Sequence, residues 1–120
     1  MTVGKSIFIA SLLAATLSSV VTANAHAALV KSDPPANETV AAPHTINLTF
    51  SEKLTPAFSG FDLSMDDGMK MAVTNTISAD GMTMTGSPKG KLMSGNYKIS
   101  WHAVAADGHR SEGTLPFKVK

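Results

Sequence analysis

Two sets of side chains in this 120-residue sequence carry donor chemistry, and both suit metal ions. The first joins His26 to Asp107-Gly108-His109. In an extended segment residues i and i+2 project to the same side, so a carboxylate and an imidazole at this spacing can converge on one ion. An Asp-Gly turn followed by a surface His is also a common solvated motif, and Asp107 with His109 alone does not exceed it. His26 adds weight because it follows Ala23-Asn24-Ala25, an A-x-A cleavage pattern. If cleavage makes His26 the first residue, its α-amine and Nδ1 close a six-membered chelate ring. A nitrogen of His109 and an oxygen of Asp107 then complete a tetragonal set of three nitrogens and one oxygen. Cu(II) favours such a set and stands highest among the divalent ions in the Irving–Williams order. The α-amine, with a free pKa of about 7.7–8.0, must lose its proton to bind. Ala25-His26-Ala27 is a second A-x-A, and cleavage after Ala27 would remove His26.

The second set is methionine. Six of the 7 Met residues lie between Met65 and Met93. Thioethers are soft donors suited to Cu(I), and they survive an oxidising compartment where thiols pair. Met also fills irregular gaps in cores. Met65 shares parity with Phe61 and Leu63, which favours the core for it. Met69 and Met71 stand in the polar segment Asp66-Asp67-Gly68-Met69-Lys70-Met71, where burial is less expected. Met82 and Met84 fall on one face of an extended segment. For the cluster as a whole, core and soft-metal readings stand level.

Other chemistries leave no trace. There are no cysteines, so disulfides, thiolate metal sites and cysteine nucleophiles are excluded. No G-x-S-x-G elbow, phosphate-binding loop, H-E-x-x-H helix or dinucleotide fingerprint occurs. Beyond residue 25 the chain balances 9 Lys/Arg against 9 Asp/Glu, without the basic stripe of a nucleic-acid binder.

These donors need a scaffold, and the remaining residues describe one. Residues 2–25 carry one charge, Lys5, and Ile7 to Val21 is apolar with small polar interruptions. A spanning helix needs about 20 apolar residues, so the run reads as a secretory signal peptide, residues 1–25, cleaved from a single domain of residues 26–120. Within that domain Ile46, Leu48 and Phe50 alternate with Thr45, Asn47 and Thr49. The same alternation runs through Phe61-Leu63-Met65, through Tyr97-Ile99-Trp101-Ala103 and through Leu115-Phe117-Val119. Turn formers such as Asp67-Gly68, Asp80-Gly81, Ser94-Gly95-Asn96 and Asp107-Gly108 fall between them. Short alternating strands punctuated in this way predict an all-β, immunoglobulin-like sandwich of about seven strands. Trp101 reads as a core anchor, and His102, one residue on, as an outward-facing residue.

From His26 to Lys120 the chain resembles the CopC family of periplasmic copper-binding proteins. The resemblance rests on His26-Ala27-Ala28-Leu29-Val30 with Ser32 and Pro34, then on Phe50-Ser51-Glu52-Lys53-Leu54 and Phe58-Ser59-Gly60. It continues through Gly95-Asn96-Tyr97-Lys98 and from Trp101 to His109, and closes on Phe117-Lys118-Val119-Lys120. It implies a Greek-key β-sandwich, removal of the signal peptide just before His26, and Cu(II) held by His26, Asp107 and His109. It also implies copper carriage in the periplasm, in resistance or delivery, with a CopD-like inner-membrane copper transporter as partner. Glu52 matches a family Glu near the Cu(II) end, which implies support for the ligands. Family members with a Cu(I) site carry a longer Met-rich loop, commonly with a His. Here the loop is short, Met65 to Met71, and has no His; a Cu(I) set would draw on Met65, Met69, Met71, Met82 and Met84.

The expected protein is a monomeric carrier with no small-molecule substrate and no nucleic-acid partner. The alternative is a copper redox enzyme of the monooxygenase kind, since such enzymes also grip copper through an N-terminal His and a second His. Asp107 as a further ligand would fill the position that oxygen activation needs open.

Overall fold

A computed structural model describes residues 26–120. The expected signal peptide, residues 1–25, lies outside the described residues. Among the described residues nine strands form: β1 (Leu29–Asp33), β2 (Thr39–Val40), β3 (Ile46–Phe50), β4 (Gly60–Met65), β5 (Lys70–Met71), β6 (Val73–Ile77), β7 (Thr83–Pro88), β8 (Gly95–Val104) and β9 (Arg110–Val119). Seven of them have five residues or more, as the alternation predicts, and two are two-residue pairings at the margins. One turn of 3-10 helix, Pro56–Phe58, precedes β4.

The strands make two sheets, ordered β1-β3-β7-β6 and β2-β9-β8-β4-β5. Among the described residues only β2 on β9 is parallel. The chain visits the second sheet briefly at β2, then changes sheet between β3 and β4, between β5 and β6, and again between β7 and β8, the crossing pattern of a Greek-key sandwich. The β8–β9 hairpin, paired over ten residues from Gly95↔Val119 to Val104↔Arg110, is the longest element.

Alternation explains the core. Ile46, Leu48, Phe50, Phe61, Leu63, Tyr97, Ile99, Leu115, Phe117 and Val119 are all buried between the sheets. Burying a large aliphatic or aromatic side chain is worth about 1.5–3 kcal/mol. Gly86 in β7 leaves the space that Phe61 of the opposite sheet fills: a Cβ there would collide with Cζ and Cε1 of Phe61 and stand 2.8 Å from Val73 Cγ1. Tyr97 stacks on Phe117 at 5.4 Å, and its hydroxyl donates to the Met93 carbonyl at 2.7 Å. Burial pushes the Tyr97 phenol up from its ordinary value. Trp101 faces inward as expected, but at the rim and only half-buried. It meets Phe50 edge-on at 5.1 Å and lies over Gly113, which has no side chain to displace it.

The sandwich has two ends. Leu54 bridges Ala105, and Leu54 N–H donates to Gly81 O at 2.9 Å, so residues 51–54, 80–82 and 105–109 share one end. Met65 pairs with Tyr97 and Gly95 with Val119, which places the β4–β5 hairpin at the other.

Candidate metal centre

The β8–β9 turn is set by its own sequence. Gly108 N–H donates to Ala105 O and Ala105 N–H to His109 O, both at 2.9 Å. Gly108 takes φ 91°, a left-handed conformation open to glycine at little cost. Asp107 closes the turn: Oδ1 accepts the His109 backbone N–H at 3.0 Å, and Oδ2 lies 2.8 Å from His109 Nδ1. The backbone N–H of His109, and then its ring, hold the Asp107 carboxyl below its ordinary value. When Nδ1–H donates to Asp107, the free lone pair of His109 is on Nε2. Both side chains stay accessible, His109 at 57% and Asp107 at 43% exposure.

His26 is brought to this turn by the two residues after it. Ala27 is buried, and its carbonyl accepts the Ser111 hydroxyl at 2.7 Å. Ala28 N–H donates to Ser51 Oγ at 2.9 Å, while Ser51 N–H donates to Ala28 O at 2.8 Å. The N-terminal segment is thus clasped between the end of β3 and the start of β9. The His26 ring lies edge-on to the His109 ring, with centroids 5.3 Å apart and planes at 72°.

His26, Asp107 and His109 therefore share one exposed end, although 81 residues separate His26 from Asp107 in sequence. Asp107 is turned onto His109, and among the described residues no three His, Cys, Asp or Glu side chains yet stand as a closed ligand set. Both Asp107 carboxylate oxygens are engaged by His109, Oδ1 by its backbone N–H and Oδ2 by its ring.

Other expected residues are dispersed. Glu52 sits exposed in the loop after β3 at the same end, and no ion pair or hydrogen bond of its side chain is found among the described residues. Met84 is fully buried, opposite Leu48 and Ile77, so it belongs to the core and not to a metal face. Met82, two residues earlier, is half-buried. Met82 lies at the His26 end, its carbonyl accepting Phe50 N–H at 2.8 Å. Met65, Met69 and Met71 lie on the β4–β5 hairpin, roughly 25 Å away at about 3.3 Å per strand residue. Met65 and Met71 pack against the core, and Met69 is 53% exposed. The five methionines do not form one site. His102 stands on the outer face of its sheet opposite Glu112, as its parity predicts, and His44 is exposed in the segment between β2 and β3.

Ser51 and Ser111 are the positioning residues that sequence reading passed over. Ser111 had a signal: it shares the inward parity of Leu115, Phe117 and Val119, and an inward hydroxyl needs a partner.

A CopC domain profile matches residues 29–120. The chain belongs to the CopC family. This CopC-family chain is 41% identical over 116 residues to copper resistance protein C of Xanthomonas campestris pv. juglandis, with 91% of each chain covered. It is 40% identical to copper resistance protein C of Pseudomonas syringae pv. tomato, covering 96% of this chain and 93% of the relative. Among solved structures it superposes with a TM-score of 0.75 on PcoC, a methionine-rich copper resistance protein from Escherichia coli. The two are 39% identical, with 79% of this chain and 99% of PcoC covered. The β-sandwich is thus the fold of its relatives, and the clasped N-terminus and Asp107–His109 turn lie within or beside the matched region.

Proposed function

We propose that this CopC-family chain is a periplasmic carrier that takes one Cu(II) at its His26 end after the signal peptide is cut behind Ala25. The observation that carries the reading is the clasped N-terminus, which sets the His26 ring 5.3 Å from that of His109 while Asp107 fixes the His109 side chain. Copper is the cargo. The freed α-amine and Nδ1 of His26 would chelate it, with a nitrogen of His109 and an oxygen of Asp107 completing a set suited to Cu(II). The names of the relatives as copper resistance proteins support the copper assignment.

Exposure of the donors at one tip suits handover, because an acceptor can approach without the sandwich opening. The acceptor we propose is a CopD-like inner-membrane copper transporter, and the chain catalyses no reaction of its own. Electron paramagnetic resonance of the His26-start protein tests this. One Cu(II) with a tetragonal, nitrogen-rich spectrum is expected. It should be weakened strongly by His109→Ala and left unchanged by His102→Ala, which alters the outer sheet face. Loss of the signal in His102→Ala would overturn the ligand assignment, and sustained substrate oxidation with ascorbate would favour the redox-enzyme alternative.

A further inference from the structure

Two chain segments that cross between the sheets leave a groove at the end of the sandwich away from His26. Residues 41–45 carry the chain from β2 to β3, and residues 89–94 carry it from β7 to β8. A cavity of about 530 Å³ lies between residues 41–44 on one wall and residues 88–92 on the other. A second hollow shares Ala42 and Leu92 with the first and extends it to Met93. Clefts that hold ligands measure about 300–1,000 Å³, so the first hollow alone is large enough. Ser94 Oγ donates to the Lys120 carbonyl and Gly95 pairs with Val119, so the groove stands where β8 begins and β9 ends. The Asp107–His109 turn joins the other ends of the same strands, roughly 30 Å away at about 3.3 Å per residue.

The groove has an apolar floor and a basic rim. Leu92 is buried, and Ala42, Pro43 and Pro88 are half-buried, whereas His44, Lys89 and Lys91 are exposed. No Asp or Glu lines either hollow, and neither Lys89 nor Lys91 makes an ion pair among the described residues. Beyond residue 25 the charges of the chain balance, so the rim is a local cationic excess that its own lining does not neutralise. The walls also keep backbone donors free. The N–H groups of Ala41, Ala42, Gly90 and Lys91 make no hydrogen bond among the described residues. An apolar floor inside a polar rim is the anatomy of a protein interface, and the sign of the rim selects an anionic partner.

Lys89 and Lys91 stand two residues apart. In an extended chain that interval is about 6–7 Å, the interval at which alternate side chains of a second extended chain recur. We propose that this groove docks an extended, acidic segment of a partner protein. Its carboxylates meet Lys89 and Lys91, and its apolar side chains rest on Pro88 and Leu92. A single chain is the occupant because the basic residues border a recess between two walls. A flat anionic membrane at this end would also meet Asp66 and Asp67, which are exposed in the β4–β5 turn beside Asn96 and would repel it. A segment lying between the walls avoids them. Docking at this end holds the protein to a partner while the His26 tip stays open. The proposal does not depend on the copper reading.

Fluorescence anisotropy of a labelled, end-blocked peptide that alternates glutamate and leucine tests it, with the copper-free His26-start protein as receptor. The native chain should bind the peptide saturably and more weakly as salt rises. Lys89→Glu/Lys91→Glu changes two exposed side chains and should bind at least about tenfold more weakly, with unchanged melting to show that it is folded. A peptide alternating lysine and leucine should bind the native chain at least about tenfold more weakly than the acidic one. His109→Ala, at the opposite end, should bind the acidic peptide as the native chain does, and inorganic phosphate should not displace it beyond the effect of equal ionic strength. Absence of binding at millimolar protein, equal binding by the charge-reversed variant, or loss of binding in His109→Ala would overturn the proposal. Cosedimentation with phosphatidylglycerol vesicles in the absence of peptide binding would overturn it in favour of a lipid surface.

Discussion

Ser111→Ala isolates the clasp that holds His26 in place. Its hydroxyl donates to the Ala27 carbonyl at 2.7 Å, and Ala27 is only 1% exposed, so water does not easily replace the lost donor. A neutral hydrogen bond is worth about 0.5–1.5 kcal/mol net, and a buried acceptor left unpaired costs about 1–3 kcal/mol. That cost falls on the docking of residues 26–28. Ala28 keeps its two bonds to Ser51, and β1 keeps its ladder on β3. Copper must then redock the segment, so Cu(II) affinity should fall by about 1–2 kcal/mol, roughly five- to thirtyfold. Competition titration of the His26-start protein against one chelator, well below the melting temperature, reads this directly. Ser111→Thr, which keeps a hydroxyl, should recover most of the loss. An affinity equal to that of the native chain in Ser111→Ala would refute the idea that the clasp preorganises the site.

Three further outcomes follow from the packing and the turn. Gly86→Ala places a methyl against the Phe61 ring and should destabilise the fold by about 1–3 kcal/mol in thermal unfolding; an unchanged melting temperature would contradict the contact between the sheets. Met84→Ala should cost about 2–5 kcal/mol, and Met69→Ala, at an exposed turn, within about 0.5 kcal/mol; equal effects would contradict the assignment of Met84 to the core. Asp107 has a folded pKa below its unfolded value, so its contribution to the turn is present above the ordinary value of 3.8 and is lost as pH falls through the folded one. Its carboxyl carbon in a nuclear magnetic resonance titration should show a midpoint below 3.8, and a midpoint at or above that value would contradict the hydrogen bonds from His109.

Much of the fold was legible because a half-buried strand has a period of two, and every alternating run placed its apolar set between the sheets. Ile46-Leu48-Phe50 and Leu115-Phe117-Val119 needed nothing beyond parity. Trp101 had the same parity but lies at the rim, because parity fixes a side and not a depth along the strand. The methionines were less readable. Met84 obeys the strand period and is core, whereas Met65 ends β4 and Met82 precedes the start of β7, which runs the same way, so the two fall at opposite ends, a fact of topology that local spacing does not carry. The nearness of His26 to His109 was inferred from chemistry and family resemblance. What brings the rings together, the Ser51 and Ser111 hydroxyls acting on backbone groups of Ala27 and Ala28, depends on contacts between residues far apart in sequence.

The central claim is that the chain holds Cu(II) through the amine of His26 as well as through side chains. Placing one Gly before His26 converts that amine into an amide while leaving His26, Asp107 and His109 intact. The added Gly lies ahead of the buried Ala27 and leaves its clasp intact, so melting of the copper-free protein should be unchanged. Loss of the metal–nitrogen bond and its chelate ring should cost at least a few kcal/mol, where about 1.4 kcal/mol is a factor of ten. Competition titration of the native and extended forms against the same chelator is the decisive measurement. Cu(II) affinity should be lower by orders of magnitude in the extended form, and equal affinities would contradict a role for the His26 amine as ligand.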